Sequence, residues 1–388
     1  MSAPDLAIVG GGLSGSLIGF RLKQVQPDVR VHLIERGAAL GGNHTWSFHE
    51  SDMTPAQISW MTPLISRRWD RNEVRFPSFA RTFKNAYFSI LSETLDRAVR
   101  AALPHAVTTR ANVRSLEPTA VTLESGERVS AGCVIDARGI IDARPGLTGG
   151  LTFLGQDVEL EEPHGIEHPV IMDTLCDQSD GFRFFYLLPW SERSLLIEDN
   201  IFSPSMELDA DRFRRAIRAY AGDRGWRIAS VAREEMGVLP IPLTSDFAAP
   251  AHSPVPRVGA GGGFFHYGTT YSIRHAVNFA DEFAQLDDFA PAAVSAFVDR
   301  KRREHRRRNR FYPMLNRMLL MTAQPANAYR ILERFYAMPE RVIENFYADR
   351  LTLRDRLTVM FSGKPPLSLA EAVRLIFSSA PSIRRLTT

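Results

Sequence analysis

The chain has 388 residues, 44% of them hydrophobic and 23% charged, with a net charge of +3, which is typical of a globular protein large enough for two lobes. Its two cysteines, Cys133 and Cys176, argue against a disulfide framework or a cysteine metal site and favour a reducing cytoplasm. The sequence contains no run of about eighteen apolar residues, so we predict no membrane-spanning helix. The first residues lead directly into a predicted strand, so we expect no secretory signal.

The first predicted element is a nucleotide-binding turn. An apolar strand leads into Gly10, Gly12 and Gly15, a helical segment follows, and a second apolar strand ends at Glu35. Glycines at this spacing allow a tight turn and let the backbone approach a pyrophosphate, while the helix start offers N–H groups to the phosphates. The acid after the second strand falls where ribose hydroxyls would lie. We therefore predict that these four residues bind a nucleotide cofactor.

A polar, glycine-rich stretch over residues 37–50 follows, and we expect a loop that crosses the bound dinucleotide. It contains His44 and His49, but no carboxylate or cysteine joins them at the spacing of metal ligands. We interpret both histidines as hydrogen-bonding loop residues and predict no metal site.

Residues 105–139 alternate like strands and include a hairpin that we expect to turn near Gly126. The hairpin leads into CVIDARG, an apolar strand that ends in a polar turn. Strands of this type return the chain beneath the cofactor in flavin-binding Rossmann proteins, so Asp136 and Gly139 are candidate cofactor contacts. A simple dehydrogenase would continue with alternating strands and helices, whereas this chain inserts a β-meander. The pattern therefore favours FAD over NAD.

From residue 151 the character of the chain changes. Strands are predicted at 182–188, 194–203 and 226–241, with a helix at 209–221, and these elements indicate a sheet in a second, substrate-facing lobe.

Two acidic pairs, Glu198–Asp199 and Glu234–Glu235, interrupt these apolar strands. Since neighbouring residues of a strand point to opposite faces, one member of each pair should face inward, where desolvation raises its pKa and makes it a usable acid. The alternative is that both pairs lie at strand ends in solvent. The residues alone leave this choice open for Glu198.

A glycine cluster after residue 255 leads into Thr269 and Thr270, before a helix predicted from about Ile273. Backbone donors at this helix start would meet a phosphate or the flavin pyrimidine edge, so both threonines are candidate cofactor contacts. Glycine-rich turns before helices are also common without a ligand.

The last ninety residues are basic and helical in pattern, and the run RKRREHRRRNR over residues 300–310 is followed directly by apolar residues. This mixture fits docking on an anionic membrane surface without spanning it. A plain solvated surface and nucleic-acid binding are the alternatives.

Together these elements predict an α/β (α+β, two-lobed) protein. A Rossmann-type FAD-binding domain is expected over residues 1–80, 100–150 and 250–300, with an inserted antiparallel β-sheet substrate domain over 151–249. Residues 301–388 are expected to form a helical, basic C-terminal region.

Several stretches resemble the bacterial-type lycopene β-cyclases, and the resemblance covers nearly the whole chain. They are GGNHTWSFH (41–49), PVIMDTLCDQSDGFRFFYLLP (169–189), LLIED (195–199), REEMGVLPIP (233–242), and RFYAMPERVIENFYADRLTLRDRL with GKPP (334–357, 363–366). The family also carries the N-terminal glycine motif.

The resemblance implies redox-neutral cyclisation of the acyclic ends of lycopene to β-rings, giving β-carotene through γ-carotene, with reduced FAD and with NAD(P)H as reductant. It implies that Glu198 is the essential acid, with Asp199 beside it, and leaves Glu235 as a candidate for proton handling or positioning. Expected partners are lycopene or another acyclic carotene, the cytoplasmic side of the inner membrane as a peripheral contact, and other carotenoid enzymes, with no nucleic acid.

The chain departs from the family pattern at two places. Asn200 follows the acid pair where the family commonly has threonine, and residues 266–272 read HYGTTYS where the family usually reads close to HPTTGYS. The alternative functions are a flavin oxidoreductase on a related fold, either a prenyl-chain reductase or a hydroxylase, and a non-catalytic flavoprotein or membrane adaptor.

Overall fold

The part of the chain that the structure describes contains four β-sheets and ten α-helices. In this computed structural model the described residues are 3–139, 143–144, 146–179, 181–247, 253–321, 325–361 and 374–375. The strands are β1 (Leu6–Val9), β2 (Val31–Ile34), β3 (Thr45–His49), β4 (Arg67–Trp69), β5 (Asn72–Phe76), β6 (Phe79–Phe83), β7 (Tyr87–Leu91), β8 (Val107–Thr108), β9 (Val113–Glu117), β10 (Ala120–Leu123), β11 (Arg128–Ser130), β12 (Cys133–Asp136), β13 (Thr148–Leu160), β14 (Val170–Asp173), β15 (Phe182–Pro189), β16 (Ser194–Ser203) and β17 (Ile228–Pro242). The helices are α1 (Leu13–Val25), α2 (Pro55–Met61), α3 (Ser92–Ala102), α4 (Ala210–Asp223), α5 (Ile273–Phe283), α6 (Pro291–Arg308), α7 (Tyr312–Leu320), α8 (Tyr329–Tyr336), α9 (Glu340–Tyr347) and α10 (Leu353–Phe361).

The N-terminal sheet is parallel and has the strand order β12-β1-β2-β8. Every residue of β1 is buried, as expected for a central strand of a parallel sheet. Helix α5 comes from late in the chain but packs on α1, where Arg21 Nε donates to Asp281 Oδ1 at 2.7 Å and Gln26 Nε2 donates to the Ala284 carbonyl at 2.9 Å. Early and late segments of the chain therefore build one lobe together.

The larger sheet has the order β17-β13-β16-β15-β14-β5-β6, and its pairs are antiparallel except for the parallel pair of β14 and β5. On one face, Phe213 and Ile217 of α4 pack in a cluster with Ile197 of β16. On the other face, Leu196 of β16 belongs to a cluster with Phe335 of α8. The alternation of β16 thus fixes which of its side chains face α4 and which face the C-terminal helices.

The predicted fold class is confirmed, and the predicted strands at 182–188, 194–203 and 226–241 correspond to β15, β16 and β17. The helix predicted at 209–221 is α4. The hairpin turn is also observed, since β10 pairs with β11 and Gly126 between them has φ +91°, a left-handed conformation that favours glycine.

Two predictions about local structure are wrong. The loop expected over residues 37–50 ends in a strand, because Thr45–His49 pair with β7 and Phe48 stacks on Phe88 with 5.1 Å between ring centroids. The first segment of the FAD-binding domain, which we expected to end near residue 80, does not end between two sheets. Residues 72–83, which we expected in the cofactor domain and its margin, form β5 and β6 at the edge of the seven-stranded sheet.

The C-terminal region is helical as far as it is described, to the end of α10. Predictions that fall on residues 362–373 and 376–388, including the GKPP stretch, lie outside the described residues. Among the helices that are described, none combines the length and apolar character needed to cross a bilayer.

Candidate active site

A cavity of about 820 Å³ lies between the seven-stranded sheet and the C-terminal helices. Apolar side chains from both sides dominate its wall, among them Phe153, Phe184, Leu319 and Phe335. The wall also includes Gly139 from the N-terminal lobe, so the cavity reaches from the predicted cofactor region to the sheet. A cavity of this size and lining suits an apolar ligand that is several ångströms wide and held by few polar groups.

One row of residues crosses four adjacent strands on the cavity face of the sheet. Tyr186 of β15 is directly opposite Glu198 of β16, Glu198 is opposite Gly155 of β13, and Gly155 is opposite Glu235 of β17. The phenol and both carboxyl groups line the cavity. We call these four residues the acid row. The register therefore brings Glu198 and Glu235, predicted from separate sequence motifs, to the same site.

Gly155 leaves a gap in the middle of the acid row. A Cβ atom at this position would lie 3.1 Å from Leu196 Cδ1 and 3.2 Å from Glu198 Cβ, closer than most real side-chain contacts. The strands on either side of β13 are two strand spacings apart, about 9.6 Å. Glycine thus keeps the space between the two carboxyl groups open to a ligand.

Glu198 is held as a protonated acid. Burial, and after it the nearby charge of Glu235, together raise the pKa of Glu198 to about 8. Asn200 Nδ2 donates to Glu198 Oε1 at 3.0 Å, which fixes the carboxyl group on the cavity face. Asn200 stands where the family commonly has threonine, and the amide orients the acid directly.

Glu235 has a different environment, although it is 2% exposed. Its Oε2 accepts from the Thr45 backbone N–H at 2.7 Å, and it lies 3.3 Å from His44 Nδ1 and 3.8 Å from Arg233 Nη1. Its Oε1 is buried and has no hydrogen-bond partner in the part of the chain that the structure describes. These groups hold Oε2, whereas Oε1 keeps its lone pairs free of hydrogen bonds within the described chain.

Asp199 does not join the acid row, which corrects the expectation that it acts beside Glu198. Strand alternation places it on the opposite face of the sheet, where it is fully buried. Arg183 Nε and Nη2 donate to its two carboxylate oxygens at 2.8 and 2.6 Å. Asp199 is thus one half of a buried ion pair and does not face the cavity.

The N-terminal glycine turn has the shape that a pyrophosphate needs. Gly10 has φ +107°, and a Cβ atom at Gly15 would lie 2.0 Å from the Gly10 carbonyl oxygen, so α1 packs directly on the turn. Gly12 has open space where its side chain would be, and no side chain caps α1. The first N–H groups of α1 are therefore available to a phosphate.

Glu35 lies beside this turn as predicted. Its two carboxylate oxygens accept from the backbone N–H groups of Gly11 at 2.7 Å and Gly37 at 2.6 Å. Each oxygen keeps a second lone pair for a ribose hydroxyl. Asp136, in contrast, is 4% exposed and accepts from Arg138 through the backbone N–H at 3.0 Å and the guanidinium at 2.9 Å, so its position indicates that it supports the turn after β12.

The stretch over residues 266–272 forms a loop fixed by a buried histidine. The backbone N–H groups of Gly268 and Thr269 donate to His266 Nδ1 at 3.1 Å each, and Nε2 lies 2.9 Å from the Phe346 carbonyl oxygen. Burial lowers the pKa of His266 to about 3, so the ring is neutral. Thr269 and Thr270 line the cavity with Gly139, and Thr270 has φ +63°.

The chain matches the sequence profile of the family described as "Lycopene cyclase protein" over residues 5–374. It is 41% identical to a lycopene beta-cyclase of Pseudescherichia vulneris, over 98% of this chain and 99% of the relative. It is 39% identical to a lycopene beta-cyclase of Pantoea ananas, over 97% and 98%. The chain belongs to the lycopene cyclase family. As a member, it is an enzyme.

Solved structures support the fold of this lycopene cyclase family member. A geranylgeranyl bacteriochlorophyll reductase-like protein from Thermoplasma acidophilum aligns with TM-score 0.62 at 12% identity, covering 99% of this chain and 98% of that one. Klebsiella pneumoniae HpxO, solved in complex with FAD, aligns with TM-score 0.63 at 13% identity, covering 89% and 98%. At these identities the likeness concerns the fold alone.

A cluster of His275, His305 and Asp349 has ligand atoms within 4.8 Å of one another. The Asp349 oxygens already accept from Tyr312 Oη at 3.1 Å and Asn309 Nδ2 at 2.9 Å. His305 Nε2 lies 2.9 Å from the Phe265 carbonyl oxygen, whereas His275 Nε2 is buried and has no hydrogen-bond partner among the described residues. Since two of the three members are already engaged in the core of this family member, we assign no metal to the cluster.

Sequence reasoning missed Gly155 and the link between His44 and Glu235. A glycine inside a strand often marks a place where another group approaches closely, so Gly155 could have been predicted from the sequence as part of the site. The link between residues 44 and 235 joins positions 191 residues apart and has no local signal. The aromatic wall of the cavity followed from alternation, because Phe184 and Phe202 share the cavity face with Glu198.

Proposed function

We propose that this chain is an FAD-dependent lycopene β-cyclase that closes β-rings at the acyclic ends of lycopene without net electron transfer, giving β-carotene. The observation that carries the proposal is the acid row, in which a protonated Glu198 faces an apolar cavity with Glu235 across a gap. The family membership and the names of the relatives support the choice of substrate.

Ring closure needs an acid in an environment that cannot solvate the intermediate. Glu198 donates its proton to the terminal double bond, and the neighbouring double bond attacks the resulting carbocation to close the ring. Loss of a proton from the ring then forms the final double bond. The phenyl rings of Phe153 and Phe184 offer π faces to the cation, and the Glu235 carboxylate offers a fixed negative charge.

FAD is the cofactor that the N-terminal lobe fits. The glycine turn and the start of α1 would hold the pyrophosphate, Glu35 the ribose, and Gly139, Thr269 and Thr270 the part that reaches the cavity. When bound there in its reduced form, FAD would supply a negative charge that lowers the energy of a carbocation in the cavity. NAD(P)H as its reductant stays a prediction.

We expect γ-carotene, which carries one ring, as an intermediate, because lycopene has more ends to cyclise than the cavity has acid rows. Lycopene has two acyclic ends, whereas the described part of the cavity presents one acid row. The two ends of lycopene must therefore bind at the acid row one after the other, and the product of the first cyclisation carries a single ring. We expect γ-carotene to accumulate transiently when the substrate exceeds the enzyme.

The membrane contact that we propose is helix α10. Leu353, Leu357 and Phe361 form a stripe on this helix and are 75%, 50% and 73% exposed. Met360 of the same helix lines the cavity, so α10 lies between the cavity and the surface. Arg354 is exposed on the same helix and would meet anionic headgroups. Such a helix would bring an apolar substrate from a bilayer to the cavity.

Vesicles of phosphatidylcholine and phosphatidylglycerol test this contact by co-sedimentation. We expect L357E to lower the bound fraction, because it places a charge in the apolar stripe. L175E is the matched control, since Leu175 is 49% exposed and lies outside α10. Equal binding by wild type and L357E would contradict the proposed contact.

The enzymatic proposal is tested by incubating lycopene with the protein, FAD and NAD(P)H without oxygen. A changed absorption spectrum at unchanged mass is the expected result, because cyclisation is an isomerisation. A gain or loss of hydrogens would instead identify a flavin oxidoreductase such as a prenyl-chain reductase. Flavin absorbance of the purified protein checks the cofactor separately.

A further inference from the structure

The GGNHTWSFH stretch places a histidine at the rim of the acid row, where the proposed mechanism has not used it. His44 is 39% exposed and lines the cavity, and its Nδ1 lies 3.3 Å from Glu235 Oε2. Its ring packs edge-on to Trp46 at 5.1 Å and against Phe153 at 5.8 Å between centroids, so its position is fixed. His44 thus joins a buried carboxylate to the solvent.

Glu235 itself cannot exchange protons directly with water, because it is 2% exposed. Its Oε1 is buried without a partner within the described chain, and the residue itself lines the cavity as the β17 member of the acid row. The charged groups around it are Arg233, Asp157 and Glu198, of which the guanidinium of Arg233 stays protonated throughout the working range. His44 is therefore the neighbour of Glu235 that is open to solvent, and its imidazole has one nitrogen that can accept a proton and one that can donate a proton.

We propose that His44 exchanges protons between Glu235 and the solvent after each ring closure. The inference rests on the proposed cyclase function and adds a route by which the site is reset. His44 acts through Glu235 and does not contact the substrate in this scheme.

The step balances in atoms and electrons. One proton adds from Glu198 to the terminal double bond, and one leaves the ring carbon to Glu235 Oε1, so substrate and product have the same composition. The electron pair of the neighbouring double bond forms the ring bond, and the pair of the broken C–H bond forms the ring double bond. Glu198 ends ionised and Glu235 protonated. The site is reset when rotation of the Glu235 carboxyl group brings the protonated oxygen to the side of His44 Nδ1, a proton leaves to the solvent through His44, and another reaches Glu198 from water.

The test compares wild type with H44Q during cyclisation in D₂O. In wild type, Glu198 carries a solvent deuteron, so each ring gains one deuterium. In H44Q, the proton on Glu235 leaves slowly and returns across the gap to Glu198, so the deuterium content per ring falls. We also expect kcat to fall by about tenfold or more with little change in KM, and added imidazole to restore part of it.

H168Q is the matched control, because His168 Nε2 also lies 3.3 Å from a glutamate, Glu73, but outside the cavity lining. It should keep wild-type kcat and deuterium content. Unchanged kcat and deuterium content in H44Q would overturn the proposal. A lower kcat with unchanged deuterium content and no imidazole rescue would also overturn it, because that pattern indicates a structural role. Wild type that fails to cyclise lycopene would refute the cyclase function itself, before any variant is compared.

Discussion

Replacing Glu198 by glutamine should abolish activity and yet stabilise the protein. Glutamine keeps the size of the side chain and an oxygen that accepts from Asn200 Nδ2, but it has no acidic proton. We expect cyclisation to fall by about 100-fold or more, the usual contribution of a positioned general acid. FAD content should not change, since Glu198 is not among the residues proposed to hold the cofactor.

The gain in stability follows from the raised pKa. In the unfolded chain this carboxyl ionises around pH 4.5, whereas in the folded protein it stays protonated up to about pH 8. Between these values the folded state binds more protons than the unfolded state, so its stability falls as pH rises. At pH 7 the wild type therefore loses about 3 kcal/mol relative to the neutral variant, and at pH 5 less than about 1 kcal/mol.

Urea unfolding at pH 5 and pH 7, with product analysis by chromatography, measures both effects. E234Q is the matched control, because Glu234 is the adjacent carboxylate but is paired with Arg214, which lowers its pKa. Loss of that pairing should destabilise E234Q at pH 7 while it remains active. The reasoning is refuted if E198Q cyclises lycopene at the wild-type rate, or if it is less stable than wild type at pH 7.

The remaining predictions concern the sheet around the acid row. G155A should lower kcat/KM by about tenfold, because the added Cβ would crowd Glu198. G222A, at an open position of α4, is the control and should leave kcat/KM unchanged. Equal kcat/KM values for the two variants would contradict the role of the gap. D199N should lower the free energy of unfolding by about 3 kcal/mol in a urea titration, because it breaks the buried pair with Arg183, and R183M/D199L should lose less. Activity per folded molecule should persist in D199N, and a folded but inactive D199N would restore Asp199 as a catalytic candidate.

Local patterns in the sequence were sufficient for the elements whose signals are local. The hairpin at Gly126 and the alternating β16 depend on neighbours within a few residues, and the glycine turn with Glu35 depends on a motif contained in one strand–helix–strand unit. The structure has each of them. Alternation also showed that Glu198 and Asp199 must face opposite sides. It did not show which side held the cavity, because this depends on how α4 and the C-terminal helices cover the sheet.

The missed features depend on pairing between distant segments. The acid row exists because β13 lies between β16 and β17, and nothing near Gly155 in the chain indicates this order. For the same reason β5 and β6 appeared to belong to the first lobe, since their partner β14 comes about 100 residues later. Sequence similarity to the lycopene cyclase family identified Glu198, but register across three strands explains its setting.

The acid row and the rest of the cavity wall are carried by different parts of the fold. The four residues of the acid row lie on four adjacent strands of one sheet, whereas much of the facing wall comes from α7, α8 and α10. A variant library aimed at new acyclic substrates should therefore diversify wall positions such as Leu319, Leu332 and Met360 and leave the strands intact. In this arrangement the shape of the accepted substrate can change over generations while Glu198, the proposed acid, keeps its position on the sheet.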